Sequence, residues 1–339
     1  MQPKENLSIF EISSTDTARF RRIVIDVMTE ACRLPLEDDV YDGIGTLGEK
    51  QMHAAIKRFI CPDESKHEIL IDGSAGCIER ACDGEDNKKQ KKRRFVADVL
   101  DGNTIYEIQT GGFSPLRDKI AWILENTTYN VMVIHPIAET KWVSTINNKT
   151  GSIENRKKSP LKGRVEDIAS ELYFFRDFIA SPRFSLVILM MEGEQYKKNM
   201  QTDGRKRPRY RKYELIPISL LRAYIFKGVE DYKLFLPEGL PNPFCVKNYS
   251  EKTKIRGMDA YSIVKTLMHL GLVEEHGNLG KAAAYKICDR ELDPPAPVSD
   301  EPQKKPSAPK RSKKKSAETE SKTESKSKKK KTTKKDDTV

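Results

Sequence analysis

Cysteine is scarce in this chain of 339 residues, and its six copies are scattered. Cys32, Cys61, Cys77, Cys82, Cys245 and Cys288 include no Cys-x-x-Cys pair and no Cys/His spacing typical of zinc. Reduced thiols in an intracellular protein are expected, and a disulfide scaffold is excluded. Cys77 and Cys82 are close enough to pair or share a metal, but they lack the second half of such a motif. Long apolar runs are missing as well. No stretch approaches about 18 consecutive apolar residues, and no charged-then-apolar leader opens the chain. The expectation is a soluble, cytoplasmic protein with no membrane contact.

Basic excess is also missing from most of the chain, despite a formal net charge of +11. The segment Glu301 to Val339 holds 15 Lys and Arg against 6 Asp and Glu, which leaves 46 against 44 in the rest. Nucleic-acid binding by the body must therefore be argued from local patches. From Pro294 onward the Lys/Ser/Thr/Pro/Glu composition is that of a disordered tail, suited to a salt-sensitive polyanion tether or to solubility alone.

The periodic signals begin at Thr15. Phe20, Ile23, Val24, Val27, Met28 and Ala31 predict an amphipathic helix that ends before Pro35. A second helix runs from Thr46 to Ile60, with Met52, Ala55, Ile56, Phe59 and Ile60 as its buried arc. Glu49, His53 and Lys57 follow one another at i+4 intervals on its rim. Glu49 either looks into a cleft or closes a capping box with Thr46. His67 to Asp72 reads as a strand, and Gly73 to Arg94 as a polar insertion ending in six cations within seven residues.

Phe95 to Thr110 reads as a β-hairpin turning at Leu100-Asp-Gly-Asn103. With Asp101-Gly102 as the two-residue loop, Asp98 pairs Ile105 and Glu107 lies diagonally across from Asp98. Side-chain alternation then gives Asp98, Glu107 and Gln109 one face. Two carboxylates there are either solvated or bind a hard cation such as Mg²⁺. Beyond the hairpin, Ser114-Pro115 opens a helix to Asn126 that carries Lys119 one turn in. Asn130 to Ile137 is a buried-type strand, followed by a second strand from Lys141 to Ile146.

This succession of helix, three strands, helix and strand resembles the PD-(D/E)XK nuclease superfamily, whose restriction-endonuclease-like core is an αβββαβ unit with a mixed sheet. The resemblance implies Glu49 as the helix acid, Asp98 as the strand aspartate, and Glu107-Ile-Gln109 as the third-strand motif. Gln109 stands where that motif usually has lysine, and Lys119 is the residue that would fill its space from the following helix. By the same resemblance, Glu49, Asp98 and Glu107 would hold Mg²⁺ or Mn²⁺, with Gln109 and Lys119 beside them, in a DNA endonuclease or a nuclease-like DNA-binding protein. Gly48-Glu-Lys-x-x-His53, Glu107-Ile-Gln-Thr-x-x-Phe113, His135-Pro-Ile137 and Lys158-Ser-Pro160 resemble, in that order, an uncharacterised bacterial family with a winged helix after the core.

Further on, Asn155 to Arg164 reads as a basic loop and the stretch to Ile179 as helical. Phe184 to Glu192 reads as a strand, and Lys197 to Lys212 as a basic excursion or an exposed hairpin tip. Lys157, Lys158, Arg205, Arg207 and Arg209 are the expected phosphate contacts, with Tyr210 as a stacking surface. Phe235 to Pro243 reads as a linker. The segment from Phe244 to Arg290 reads as a winged helix-turn-helix, with Asp259, Tyr261, Ser262 and Lys265 on the free face of its second helix. The expected domains are thus an N-terminal helical extension (1–44), the nuclease-like core (45–235), the winged helix (244–290) and the tail (294–339).

Overall fold

The computed structural model describes residues 8–33, 46–71, 94–147, 150–200, 209–255 and 257–288. The side chains of residues 31–33, 46–50, 199–200 and 209 are not among those described. The side chains of Glu49 and Arg209, and all of Arg205, Arg207, Cys77, Cys82, the cationic run before Arg94 and the tail, therefore lie outside the described residues.

Helices α1 (Ser14–Arg33) and α2 (Thr46–Ile60) form where the apolar spacing predicts them. A short strand β1 (Ser8–Glu11) precedes α1 in a segment without a sequence signal. Strands β2 (His67–Ile71), β3 (Phe95–Asp101) and β4 (Thr104–Ile108) follow α2, then α3 (Arg117–Asn126) and β5 (Asn130–Ile146). The later elements are β6 (Ile153–Lys158), α4 (Ala169–Phe175), β7 (Phe184–Met200) and β8 (Arg209–Phe226), followed by α5 (Val246–Thr253), α6 (Gly257–His269), β9 (Val273–Leu279) and β10 (Ala282–Ile287). None of the described helices is long and apolar enough to cross a membrane.

The fold is mixed α/β around one large mixed sheet in the order β1-β8-β7-β5-β4-β3-β2, with β6 beside β5. β4, β5 and β7 run parallel to one another, and the remaining pairs of the sheet are antiparallel. Alternate residues explain why the central strands read as continuous apolar runs. Val131 and Val133 of β5, with Leu186 and Ile188 of β7, join a core containing Ile120 and Ile123 of α3 and Leu172 and Phe175 of α4. Met132, Ile134, Val187 and Leu189 face the other way, toward Phe20 and Val24 of α1 and Met52 and Ile56 of α2. Both faces of the sheet are dry here, so no polar alternation survives.

Several sequence readings are corrected. The hairpin pairs Leu100 with Ile105 and Asp101 with Thr104, which makes Gly102-Asn103 the loop. Gly102 takes the positive φ of 58° that the turn requires. This two-residue shift preserves the parity of the pairing, and the ladder ends at Val99 and Tyr106, one residue short of Asp98 and Glu107. β5 is one strand of 17 residues, with a register shift between Ala138 and Thr140, where two strands were expected. The basic loop after Asn155 begins as β6, and the described parts of the basic excursion are the ends of β7 and β8. Polar composition masked these strands because they lie beyond the helical layers.

The segment from Phe244 onward shares its core with the sheet layer. Ala260, Ile263, Val264 and Leu267 of α6 belong to the same buried cluster as Ile120, Phe175 and Phe184. Tyr249 of α5 donates a 2.8 Å hydrogen bond to the Phe235 carbonyl across the expected linker. Phe244 and Tyr285 exchange backbone hydrogen bonds of 2.8 and 2.7 Å. Leu267→Ala should therefore cost about 2–5 kcal/mol and move the same denaturation transition, followed by circular dichroism, that Ile120→Ala moves. Two separable transitions, only one of them shifted by Leu267→Ala, would show that residues 244–288 fold alone.

Candidate functional site

β3 and β4 part beyond Val99 and Tyr106, and the candidate site lies in the gap. Their ladder runs from Asp101↔Thr104 to Val99↔Tyr106. Past its end, the Ile108 amide donates to the Asp98 side chain, at 2.7 Å to Oδ2. The same oxygen lies 3.0 Å from His53 Nε2 on α2. Burial alone would push the Asp98 carboxyl up. The hydrogen bond and charge of His53, the Ile108 amide and the Lys119 ammonium outweigh it, so Asp98 is held below its ordinary value and is ionised. An ionised carboxylate only accepts, so His53 carries its proton on Nε2.

Glu107 is in a different environment. It is 2% exposed, between the buried Ile105 and Ile108. Its Oε2 accepts from Lys119 Nζ at 2.6 Å, and that ammonium also donates to the Val96 carbonyl at 2.5 Å. One cation from α3 thus ties β3 to β4 where they separate. Burial pushes the Glu107 carboxyl up to about 7, against the pull of Lys119 and with the repulsion of Asp98. Glu107 Oε1 is buried without a hydrogen-bond partner. Such an oxygen costs roughly 1–3 kcal/mol unless something coordinates it.

Lys119 contacts Glu107, and the charge of Asp98 reaches Glu107, but the two acids take their partners from different sides of the sheet. Asp98 takes its helical partner from α2 and Glu107 from α3, which lie on opposite sides of the sheet. Gln109 is near in sequence but engaged elsewhere. Its Nε2 donates to the Gly112 carbonyl at 2.5 Å, folding the amide back onto its own loop. Glu49 sits on α2 one turn before His53, and its side chain lies outside the described residues. Among the described residues, no group of three or more His, Cys, Asp and Glu side chains is arranged to hold a metal. The fit to a hard divalent cation rests on two carboxylates. Glu107 contributes the unpartnered Oε1, and the His53 and Ile108 contacts of Asp98 both fall on Oδ2. Mg²⁺ needs only one or two carboxylates besides water and substrate oxygens.

Two further residues shape the site without having been given a role in the sequence. His135 Nδ1 lies 2.6 Å from the Gln109 carbonyl, which can only accept, so Nδ1 is protonated. Burial lowers the His135 pKa and keeps the ring neutral. Glu171 on α4 accepts the Phe113 amide at 2.6 Å, closing the loop from Gln109 to Phe113 from the other side. A Cβ on Gly112 would come within 3.3 Å of Glu171 Oε2, so this loop leaves little room for a side chain there. His135 was visible in its motif without a role. Glu171 had no signal, because its partner is 58 residues away.

The expected nucleic-acid contacts divide. Lys157 and Lys158 are exposed on β6. Lys265 is half-buried on α6, its ammonium 5.5 Å from the Tyr285 ring centre and 5.7 Å from that of Tyr261. It is thus turned back over its own hairpin. Met258, Asp259 and Tyr261 are exposed on that helix.

The Glu107 environment predicts a pH dependence. Its folded pKa of about 7 lies above the ordinary 4.5, so folding favours the protonated carboxyl. The full contribution is present below about pH 4.5 and is lost as pH rises to 7, by at most about 3 kcal/mol. Asp98 acts oppositely, losing stability only as pH falls below its ordinary 3.8, outside that window. In chelator-containing buffer the urea midpoint of the wild type should fall between pH 5 and pH 8 relative to that of Glu107→Gln. Parallel midpoints would show that Glu107 is ionised throughout.

Residues 79–227 match the family model described as a domain of unknown function (DUF8091). That segment spans β3 to β8 and so includes Asp98, Glu107, Gln109 and Lys119, while His53 and α6 fall outside it. No solved structure matches the chain. An uncharacterised protein of Treponema pallidum (strain Nichols) is 25% identical over 248 residues, covering 72% of this chain and 87% of its own length.

Proposed function

We propose that the chain is a divalent-metal-dependent DNA nuclease, built on a restriction-endonuclease-like αβββαβ core of α2, β2, β3, β4, α3 and β5. The observation that carries this reading is the Lys119 ammonium at 2.6 Å from Glu107, with the ionised Asp98 on the adjoining strand. A lysine from the following helix thus stands beside the third-strand acid, which answers the departure at Gln109. Asp98 and Glu107 would hold Mg²⁺ or Mn²⁺. When bound, such an ion supplies a Lewis acid for the scissile phosphate and lowers the pKa of water. Lys119 would neutralise charge near the phosphate, and His53 orients Asp98.

A second reading is a catalytically silent binding module on the same core. Two observations favour it: the Gln109 amide is spent on Gly112, and three metal donors do not converge among the described residues. The pattern of α5, α6 and the β9–β10 hairpin supports a winged helix in either case. A transcription regulator reading DNA through α6 alone is less well supported, because the apolar face of α6 is spent on the core and Lys265 is folded back.

Plasmid and branched DNA incubated with Mg²⁺ or Mn²⁺ separate these readings. Asp98→Asn, Glu107→Gln and Lys119→Ala should each reduce cleavage by about 10²-fold or more, and Gln109→Ala by less than Lys119→Ala. Equal cleavage by wild type and all variants would remove this site from the nuclease reading. Absence of cleavage on every substrate would leave the binding module.

A further inference from the structure

β5, β7 and β8 are 17, 17 and 18 residues long, with β6 along one side, and their described residues after Ala138, after Met191 and before Leu215 join neither buried cluster. The two faces of this stretch differ in charge. On one, Glu194 accepts from Ser144 at 2.7 Å and from Arg156 at 3.1 Å, Arg156 stacks over Trp142 at 4.1 Å, and Lys198 sits 4.3 Å over Tyr213. Strand alternation places Lys141, Val143 and Thr145 of β5 on the opposite face. The register adds Lys157 opposite Val143, Lys197 opposite Thr145, and Lys212 opposite Lys197.

Among the described residues, none of Lys141, Lys157, Lys197 and Lys212 has an acidic side chain within ion-pair distance. Glu154, which lies opposite Thr145, is held instead by Asn147 and Ser152 at 2.9 and 3.0 Å. Like charges directly across a ladder destabilise a sheet. Burial, then the charges of Lys212 and Lys197, lower the pKa of Lys141, so the three ammonium groups feel one another. A groove of about 540 Å³ at the β6 edge of this face is lined by Val143, Thr145, Asn155, Lys157, Lys197 and Tyr210, with Arg156 reaching it from the Glu194 side. Tyr210 is half exposed. An arrangement that costs stability when empty is relieved by an anion.

We propose that this face binds single-stranded nucleic acid, with Lys141, Lys157, Lys197 and Lys212 taking phosphates and Tyr210 stacking on a base. Phosphate alone would account for the lysines. The aromatic ring among them favours a strand whose bases are free, since a duplex hides its base faces. The site shares no residue with Asp98, Glu107 and Lys119, so its failure and the failure of the nuclease reading can be told apart.

The test uses the full chain carrying Asp98→Asn, so that cleavage cannot intervene, and a fluorescein-labelled oligothymidylate titrated across a salt series. Lys197→Glu should weaken binding by roughly tenfold and flatten the salt dependence by about one phosphate contact. It should at the same time raise the thermal midpoint, because a Glu–Lys pair replaces a Lys–Lys pair. Tyr210→Ala should weaken oligothymidylate binding several-fold and leave inorganic polyphosphate binding unchanged. Lys330→Glu in the tail controls for net charge. The proposal is overturned if Lys197→Glu weakens binding no more than Lys330→Glu, if Tyr210→Ala affects neither ligand, or if a duplex of the same length binds more tightly.

Discussion

The constraint on which the site depends is a carboxyl group held away from water in the middle of a sheet. Glu107 occupies a position that strand alternation gives to the core, in line with Ile105. Its burial is tolerated because Lys119 reaches it from α3, and α3 is placed by Ile120 and Ile123 in the same core. Removing one partner of a buried pair is far more damaging than the net value of the pair. The packing of α3 and the state of Glu107 are therefore one problem. An apolar pair would often serve a fold as well, so the pair is what the proposed metal chemistry would account for.

Asp98 solves a different problem. Where β3 and β4 separate, a strand amide loses its ladder partner, and the Asp98 carboxylate supplies the acceptor. That bond and His53 keep Asp98 ionised while its neighbour titrates near 7. Two acids on adjoining strands are thus set apart by surroundings alone, the pattern by which one site assigns different roles to like groups. His135 and Glu171 fix the loop immediately beyond, so the end of β4 is held from both sides.

Much of this was legible in sequence because it is local. The Asp-Gly-Asn turn predicted a hairpin, and although the pairing shifted by two residues, an even shift leaves Asp98 and Glu107 on the two strand segments just past the end of the ladder. The α2 and α3 periodicities and the rim position of His53 also survived. What could not be read depends on partners far apart in the chain: Glu171 with Phe113, Lys119 with the Val96 carbonyl, and α6 with α4. The division of the two acids between α2 and α3 belongs to this class, since a hairpin pattern says nothing of where its strands part. The outer half of β5 was read as a strand of its own, but those of β7 and β8 were missed for another reason. Strand signals depend on apolar residues, and Lys197, Lys198, Arg211 and Lys212 supply few, since this end of β7 and β8 joins neither buried cluster.

The parallel strands fix how the acidic and basic regions relate. β4, β5 and β7 point the same way, with Ile108 level with Ile134 and Ile134 level with Val187. Glu107 therefore lies near the carboxyl edge of β4, while β5 and β7 continue past that edge. From Ile134 the chain climbs to Val143 over a stretch of strand that spans about 30 Å at the rise of an extended backbone. The lysine row thus stands well beyond the carboxylates, along the direction in which the strands run. A strand lying along the arm and a phosphate at Asp98 and Glu107 would be separate parts of one molecule, so affinity from the arm adds to the site without crowding it. The outer ends of these strands contribute to neither buried cluster, so the proposed strand-binding role is what would account for their length.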